Sequence, residues 1–139
     1  MIILDTNVLI YAVGQPHPLR DACIRIGDAI AAGGLTATTS SQVIQEFLHV
    51  HARRRPRAEA AARAIDWVDL LAPITDLDTS GVREAVAWFA DTDLDATDAF
   101  LAAVTYCTDN ARLVSADRGF AVLEDRWVTP QELAATLHG

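Results

Sequence analysis

Four acidic residues occupy positions from which their carboxylates can meet. Asp5 and Asp117 each follow a short apolar run, while Glu46 and Asp98 lie in early turns of segments with helical periodicity. In an open parallel sheet the carboxyl ends of the strands and the amino ends of the following helices share one edge, and ligands bind there where the strand order reverses. Carboxylates gathered at such an edge raise each other's pKa unless a cation sits among them. An all-oxygen donor set selects a hard divalent ion, and Mg²⁺ takes only one or two carboxylates directly while keeping waters for a substrate phosphate. The four acids therefore point to Mg²⁺, with Mn²⁺ as a substitute, and to phosphodiester chemistry.

Taken singly, each acid has a simpler reading. Acids at helix amino ends are common as caps and dipole partners, worth roughly 0.3–1 kcal/mol each, and Glu46 alone reads as a solvated helix face. Glu46 nevertheless sits among Val43, Ile44, Phe47 and Val50, closer to an apolar stripe than a solvated acid should be, which calls for a partner or a metal. Ser115, two residues before Asp117, is either a donor that holds a carboxylate or a turn former. The run Asp91-Thr92-Asp93-Leu94-Asp95 begins like a calcium loop, but Ala96 and Ala102 stand where that loop needs Gly and Glu. Asp91 and Asp93 then read as solvated loop, and Asp95 as an extra acid that joins the site or caps the next helix. His49 and His51 lie two apart on a helix and face different directions, without metal spacing. There is no glycine-rich phosphate loop and no G-x-S-x-G elbow.

The elements that would position these residues follow from an alternation of short apolar runs with longer helical stretches, the pattern of an α/β domain with a mainly parallel sheet. Strands are expected at Ile2 to Leu4, Leu35 to Thr38, around Ile74, at Arg112 to Ser115 and, as an edge, at Trp127 and Val128. Helices are expected after Asp5, over Arg20 to Ala32, after Ser40 and Ser41, over Ala58 to Leu71, over Ser80 to Ala90, from a Thr97 cap with Phe100, Leu101, Val104 and Cys107 inward, and from Pro130. At 139 residues, 51% of them hydrophobic, the chain has room for one domain, residues 1–139. A net charge of −8 excludes a generic DNA-coating protein. All 11 basic residues are Arg, which excludes any mechanism that needs a lysine. Cys23 and Cys107 read as buried free thiols in a reducing cytosol. The apolar start lacks a basic leader and carries Asp5 within it, and no apolar run reaches membrane-spanning length, so a cytoplasmic protein is expected.

Four stretches, Leu4-Asp5-Thr6-Asn7-Val8-Leu9-Ile10, Gln45-Glu46-Phe47, Thr97-Asp98-Ala99-Phe100-Leu101-Ala102-Ala103 and Val114-Ser115-Ala116-Asp117-Arg118-Gly119-Phe120, resemble in order and spacing the motifs of PIN-domain ribonucleases. Among these they are most similar to the VapC-type toxins of bacterial toxin–antitoxin pairs. The resemblance implies a three-layer α/β/α fold with a parallel sheet of about five strands. It also implies an Mg²⁺-dependent endoribonuclease site in which Asp5 and Asp98 are the most direct metal ligands, Glu46 and Asp117 hold a second metal or metal-bound waters, and Thr6 and Asn7 brace the shell. It further implies a homodimer and a cognate antitoxin that lays a segment, often with an Arg, across the acidic pocket. Where many relatives have a basic or small residue before the third motif aspartate, this chain has Thr97, with Asp95 two positions earlier.

RNA must approach an acidic molecule, and Arg53, Arg54, Arg55 and Arg57, with Arg118, are the candidate backbone-holding patch. The same run also reads as a solvated helix end or an antitoxin contact. Two other Mg²⁺-binding classes fail: a receiver-type phosphoacceptor needs a lysine, and a dehalogenase-like phosphatase needs a second aspartate where Asn7 stands. The competing function is a PIN-like scaffold without catalysis that binds RNA or protein, against which the retention of all four acids counts.

Overall fold

The strand β1 (Ile2–Leu4) is apolar and buried throughout, the pattern of a strand covered on both faces. In the computed structural model, which describes residues 1–137, it is an interior strand of a sheet of order β2-β1-β3-β4, with β2 (Ala37–Thr38), β3 (Arg112–Val114) and β4 (Trp127–Val128). Every pairing is parallel, with Ile3 opposite Thr38 on one side and Leu113 on the other, and Val114 opposite Val128.

Between β1 and β2 lie α1 (Thr6–Val13) and α2 (Arg20–Ala31). Between β2 and β3 lie α3 (Ser41–His51), α4 (Arg57–Leu71), α5 (Thr79–Asp91) and α6 (Ala96–Cys107), and α7 (Pro130–Ala135) follows β4. The chain steps from β1 outward to β2, then crosses back to β3 on the other side of β1. Right-handed crossovers taken in opposite directions place their helices on opposite faces, which gives the three-layer arrangement. Within this arrangement α1 packs on α2, α2 on α7 and α5 on α6, while α1 also meets α3 from the other crossover. The strand order reverses between β1 and β3, so their carboxyl ends frame the crevice where a ligand binds in such a sheet.

Among the described residues the sheet has four strands and not about five. The segment around Ile74 makes a single parallel bridge, Ser40 to Thr75. Pro73 has no N–H to extend a ladder, and its carbonyl instead accepts from Thr38 Oγ1 at 2.8 Å. Asp76 then turns to α3, where its Oδ1 accepts from Ser41 N at 3.1 Å and Ser41 Oγ at 2.7 Å. A segment committed to α3 immediately after its one bridge cannot continue as a strand.

Other expectations are corrected locally. Cys23 is buried, and that burial pushes its thiol up to about 12, but Cys107 is exposed. A 3₁₀ stretch, Arg118–Arg126, kinked at Glu124 with φ 56°, fills the region before β4 for which the sequence suggested no element. Its buried residues, Phe120 and Leu123, are three apart, the 3₁₀ repeat. Thr129 and Glu132 form a reciprocal cap on α7 with Pro130 in its first turn, as the proline suggested. The domain expected over residues 1–139 runs two positions past the described residues.

Candidate active site

Asp5 ends β1 and caps α1 at the point where strand becomes helix. Its Oδ1 accepts from the Thr6 N–H at 2.7 Å. Its Oδ2 accepts from Ser115 Oγ at 2.6 Å and from Asn7 Nδ2 at 3.2 Å. Ser115 directly follows β3, the neighbour of β1, so strand pairing brings its hydroxyl to Asp5. The same Ser115 oxygen accepts from Asp117 N at 3.0 Å, and Asn7 Oδ1 accepts from Ala116 N at 3.2 Å. Asp5, Asn7 and Ser115 thus tie the ends of the two strands into one network. Ser115 is fully buried behind the carboxylate, while Thr6 and Asn7 line the cleft in front of it.

The other three acids come from elements that converge on this point. Glu46 is half-buried in α3. Asp98 lies in the first turn of α6, whose cap is Asp95 and not Thr97: Asp95 Oδ1 accepts from Asp98 N at 2.8 Å. Asp117 is exposed and caps the 3₁₀ stretch through Gly119 N at 2.8 Å. Asp5, Glu46, Asp98 and Asp117, with Asp95, all line one cleft of about 580 Å³. A second hollow of about 560 Å³ adjoins it, sharing Asp95, Asp98 and Asp117 and reaching Asp91 and Asp93.

Burial and mutual repulsion show in the titration of the cluster. Asp98 is pushed up to about 7, first by burial and then by Asp95, Asp5, Asp117 and Glu46. Asp5 is pushed up to about 6 by burial, with the Ser115 and Thr6 hydrogen bonds opposing and Glu46 and Asp117 adding to the rise. Glu46 is raised by burial and by Asp95, against a lowering from His49. No arginine lines this cleft, and the chain has no lysine, so no permanently charged side chain there offsets the acids.

The donor set fits a hard, partly hydrated cation. All four acids offer oxygen. Asp5 Oδ1 takes one hydrogen bond where Oδ2 takes two, leaving Oδ1 the freer oxygen. Among the described residues no three acid, imidazole or thiol groups stand close enough together to hold a metal ion.

The arginines stand outside the cleft. Arg53, Arg54, Arg55 and Arg57 are exposed on the turn from α3 to α4, and Arg118 is exposed beside Asp117. Arg53 alone connects to the site, its guanidinium 2.9 Å from Nε2 of His49, which lines the cleft. Arg55 lies 4.0 Å from Glu59. Ile10, Tyr11 and Val50 form the apolar wall of the cleft, a role the sequence did not mark. Helical spacing was the available signal: Tyr11 is four residues from Asn7, and His49 and Val50 are three and four from Glu46. Tyr11 stacks on His17 with ring centroids 3.9 Å apart.

The PIN domain family profile matches residues 2–125. Ribonuclease VapC7 of Mycobacterium tuberculosis is 42% identical over 135 residues, covering 90% of this chain and 88% of the relative. Ribonuclease VapC13 of the same organism is 36% identical over 123 residues, covering 86% and 92%. In fold, the chain is similar to the crystal structure of VapBC2 from Rickettsia felis bound to a DNA fragment from its promoter, with a TM-score of 0.71, 19% identity and coverage of 93% of this chain and 97% of that one. A toxin-antitoxin complex from Klebsiella pneumoniae gives a TM-score of 0.71 at 19% identity, covering 94% and 98%.

A pH dependence follows. Asp5 and Asp98 have folded-state values above their unfolded ones, so their contribution to stability is fully present below about pH 4 and is lost as pH rises through 6 and 7. Raising Asp5 from its ordinary value to about 6 corresponds to roughly 3 kcal/mol, and Asp98, half-exposed, contributes less than its own rise suggests because solvent screens it. Urea unfolding in EDTA is expected to give a lower unfolding free energy at pH 8 than at pH 5, with Asp98→Asn flattening the difference. A stability that rises over that range would contradict the clustering.

Proposed function

The chain belongs to the PIN-domain family, in its VapC branch, and on that premise we propose that it is a Mg²⁺-dependent endoribonuclease, the toxin of a toxin–antitoxin pair. The observation that carries this reading is the cleft itself. Asp5, Glu46, Asp98 and Asp117 arrive from four separate segments at one place without an internal counter-charge, an arrangement that burial and repulsion oppose unless a divalent cation completes it. Both relatives are named ribonucleases, which supports the same activity.

Asp5 and Asp98 are the proposed direct ligands, with Glu46 and Asp117 at the rim. When bound, the cation, Mg²⁺ or Mn²⁺, supplies Lewis acidity that lowers the pKa of water and offsets charge developing on the phosphate. The chain's own residues do the positioning. Ser115 and Asn7 fix Asp5 Oδ2, which holds the carboxylate in a constant orientation where Asp5 lines the cleft. Asp95 holds the first turn of α6, and Asp98 with it, against the cluster. The apolar wall of Ile10, Tyr11 and Val50 narrows access of water from one side. Residues 1–139 act as one catalytic domain.

A cognate antitoxin is the proposed regulator, covering the acidic cleft with a segment whose Arg would pair with the carboxylates and displace cation and substrate. The structural neighbours include VapBC complexes, which supports such a partner. A homodimer is the proposed assembly: on α5, Val82, Val86 and Phe89 recur on one helical face and are exposed. Among the described residues no helix is long and apolar enough to cross a membrane. The proposed substrate is a cytoplasmic RNA, whether tRNA, rRNA or mRNA.

The test is cleavage of a mixed cellular RNA pool by the purified, antitoxin-free protein, with Mg²⁺ or Mn²⁺ against EDTA. Discrete metal-dependent fragments are expected, lost in Asp5→Asn and in Asp98→Asn, and their ends identify the target class. A protein that binds RNA but neither cuts it nor binds Mn²⁺ would instead be a scaffold. Replacing Arg53, Arg54, Arg55 and Arg57 by Gln is expected to weaken RNA binding and lower the salt slope by roughly 0.7 for each phosphate no longer neutralised. Equal binding by both proteins at every salt concentration would exclude that patch.

A further inference from the structure

One polar atom beside the four acids has nothing to bond. Thr6 is 4% exposed and lines the acidic cleft, yet its Oγ1 is buried without a hydrogen-bond partner. The part of Thr6 that holds Asp5 is its backbone N–H. Its hydroxyl braces no carboxylate, so the supporting role expected for this residue does not account for it. A buried hydroxyl without a partner destabilises the fold, and a methyl group in its place would not.

The position of Thr6 suggests what the hydroxyl is for. It is the first residue of α1, an eight-residue helix whose cap, Asp5, already takes the Thr6 N–H with its carboxylate. Amides of a first helical turn lack intrahelical partners and the helix dipole is positive there, so an anion is favoured at this spot. The surrounding carboxylates, once ionised, only accept hydrogen bonds. Asn7 Nδ2 is already committed to Asp5 and Ser115. A phosphate oxygen entering the cleft therefore meets acceptors on most sides, and of the hydroxyls that line it, those of Thr6, Tyr11 and Thr97, that of Thr6 is the one buried without a partner. A cation-bound water is itself a donor, with carboxylates all round to accept from it, and has no need of Thr6.

We infer that the Thr6 hydroxyl donates to a non-bridging oxygen of the RNA phosphate, and that with the amino end of α1 it forms the phosphate-oxygen subsite of the cleft. This rests on the ribonuclease reading and deepens it. It assigns the acids to the cation and Thr6 to the substrate.

Thr6→Val and Thr6→Ser test it through three readouts: thermal midpoint in EDTA, Mn²⁺ affinity without RNA, and kcat and KM for RNA cleavage. Thr6→Val is expected to melt no lower than wild type, to bind Mn²⁺ with unchanged affinity, and to lose about 10- to 100-fold in kcat/KM, the range for a hydrogen bond to a charged group. Thr6→Ser is expected to restore most of that loss. Wild-type cleavage by Thr6→Val would overturn the inference, as would a parallel loss of Mn²⁺ affinity, which would give the hydroxyl to the cation. A lower melting point without rescue by Ser would make Thr6 a packing residue. A wild-type protein that neither binds Mn²⁺ nor cuts RNA would overturn the ribonuclease reading first, and this inference with it.

Discussion

The 2.6 Å hydrogen bond from Ser115 Oγ to Asp5 Oδ2 joins the ends of two neighbouring strands and holds a carboxylate that is nine-tenths buried. Around it the fold sets Glu46, Asp98 and Asp117, whose charges resist being brought together. Two requirements meet at this edge. The parallel sheet delivers strand ends and helix starts to one place, and the proposed metal chemistry calls for acids there in spite of their repulsion. The fold accommodates them by fixing one carboxylate with three donors and by using two neighbouring acids as caps: Asp95 for α6 and Asp117 for the 3₁₀ stretch. The residual repulsion helps to keep Asp98 near 7, and that residual is what a divalent cation would remove.

The same edge separates tasks among residues of similar type. Asn7 spends its amide on the network between β1 and β3, whereas Thr6, its neighbour, leaves its hydroxyl without a partner. Asp95 and Asp98 lie three apart at the start of α6, but the first is consumed by the helix cap and also raises the second. Chemical type alone would not distinguish the members of these pairs. Their backbone positions do.

What the sequence contains and what it conceals divide along the same physical line. The buried strand Ile2–Leu4, the Asp5 junction and the convergence of the four acids follow from local rules of burial, capping and sheet polarity, and each is found in the structure. A fifth strand does not form because Asp76 has a long-range partner in Ser41, 35 positions away, which no local pattern records. Thr97 and Asp95 are both good capping types for α6, and only the observed first turn decides for Asp95. The 3₁₀ stretch is invisible in the sequence because a period of three over nine residues, with Glu124 at positive φ, matches neither the helix nor the strand template. Cys107 is exposed because the buried face of α6 runs through Ala99, Leu101, Ala102 and Thr105, and Phe100, seven residues before Cys107 and on its side of the helix, is itself only half-buried.

If the clustered carboxylates hold a divalent cation, calorimetric titration of Mn²⁺ at pH 8 into the antitoxin-free protein shows it most directly, with Asp5→Asn and Asp98→Asn titrated beside it. The expected result is saturable binding by the wild type that weakens by about 10-fold or more in each variant, in line with loss of a metal ligand. No binding by a folded wild-type protein, or equal binding by all three, would mean that the four acids meet for a structural reason and that the cleft is not a metal centre.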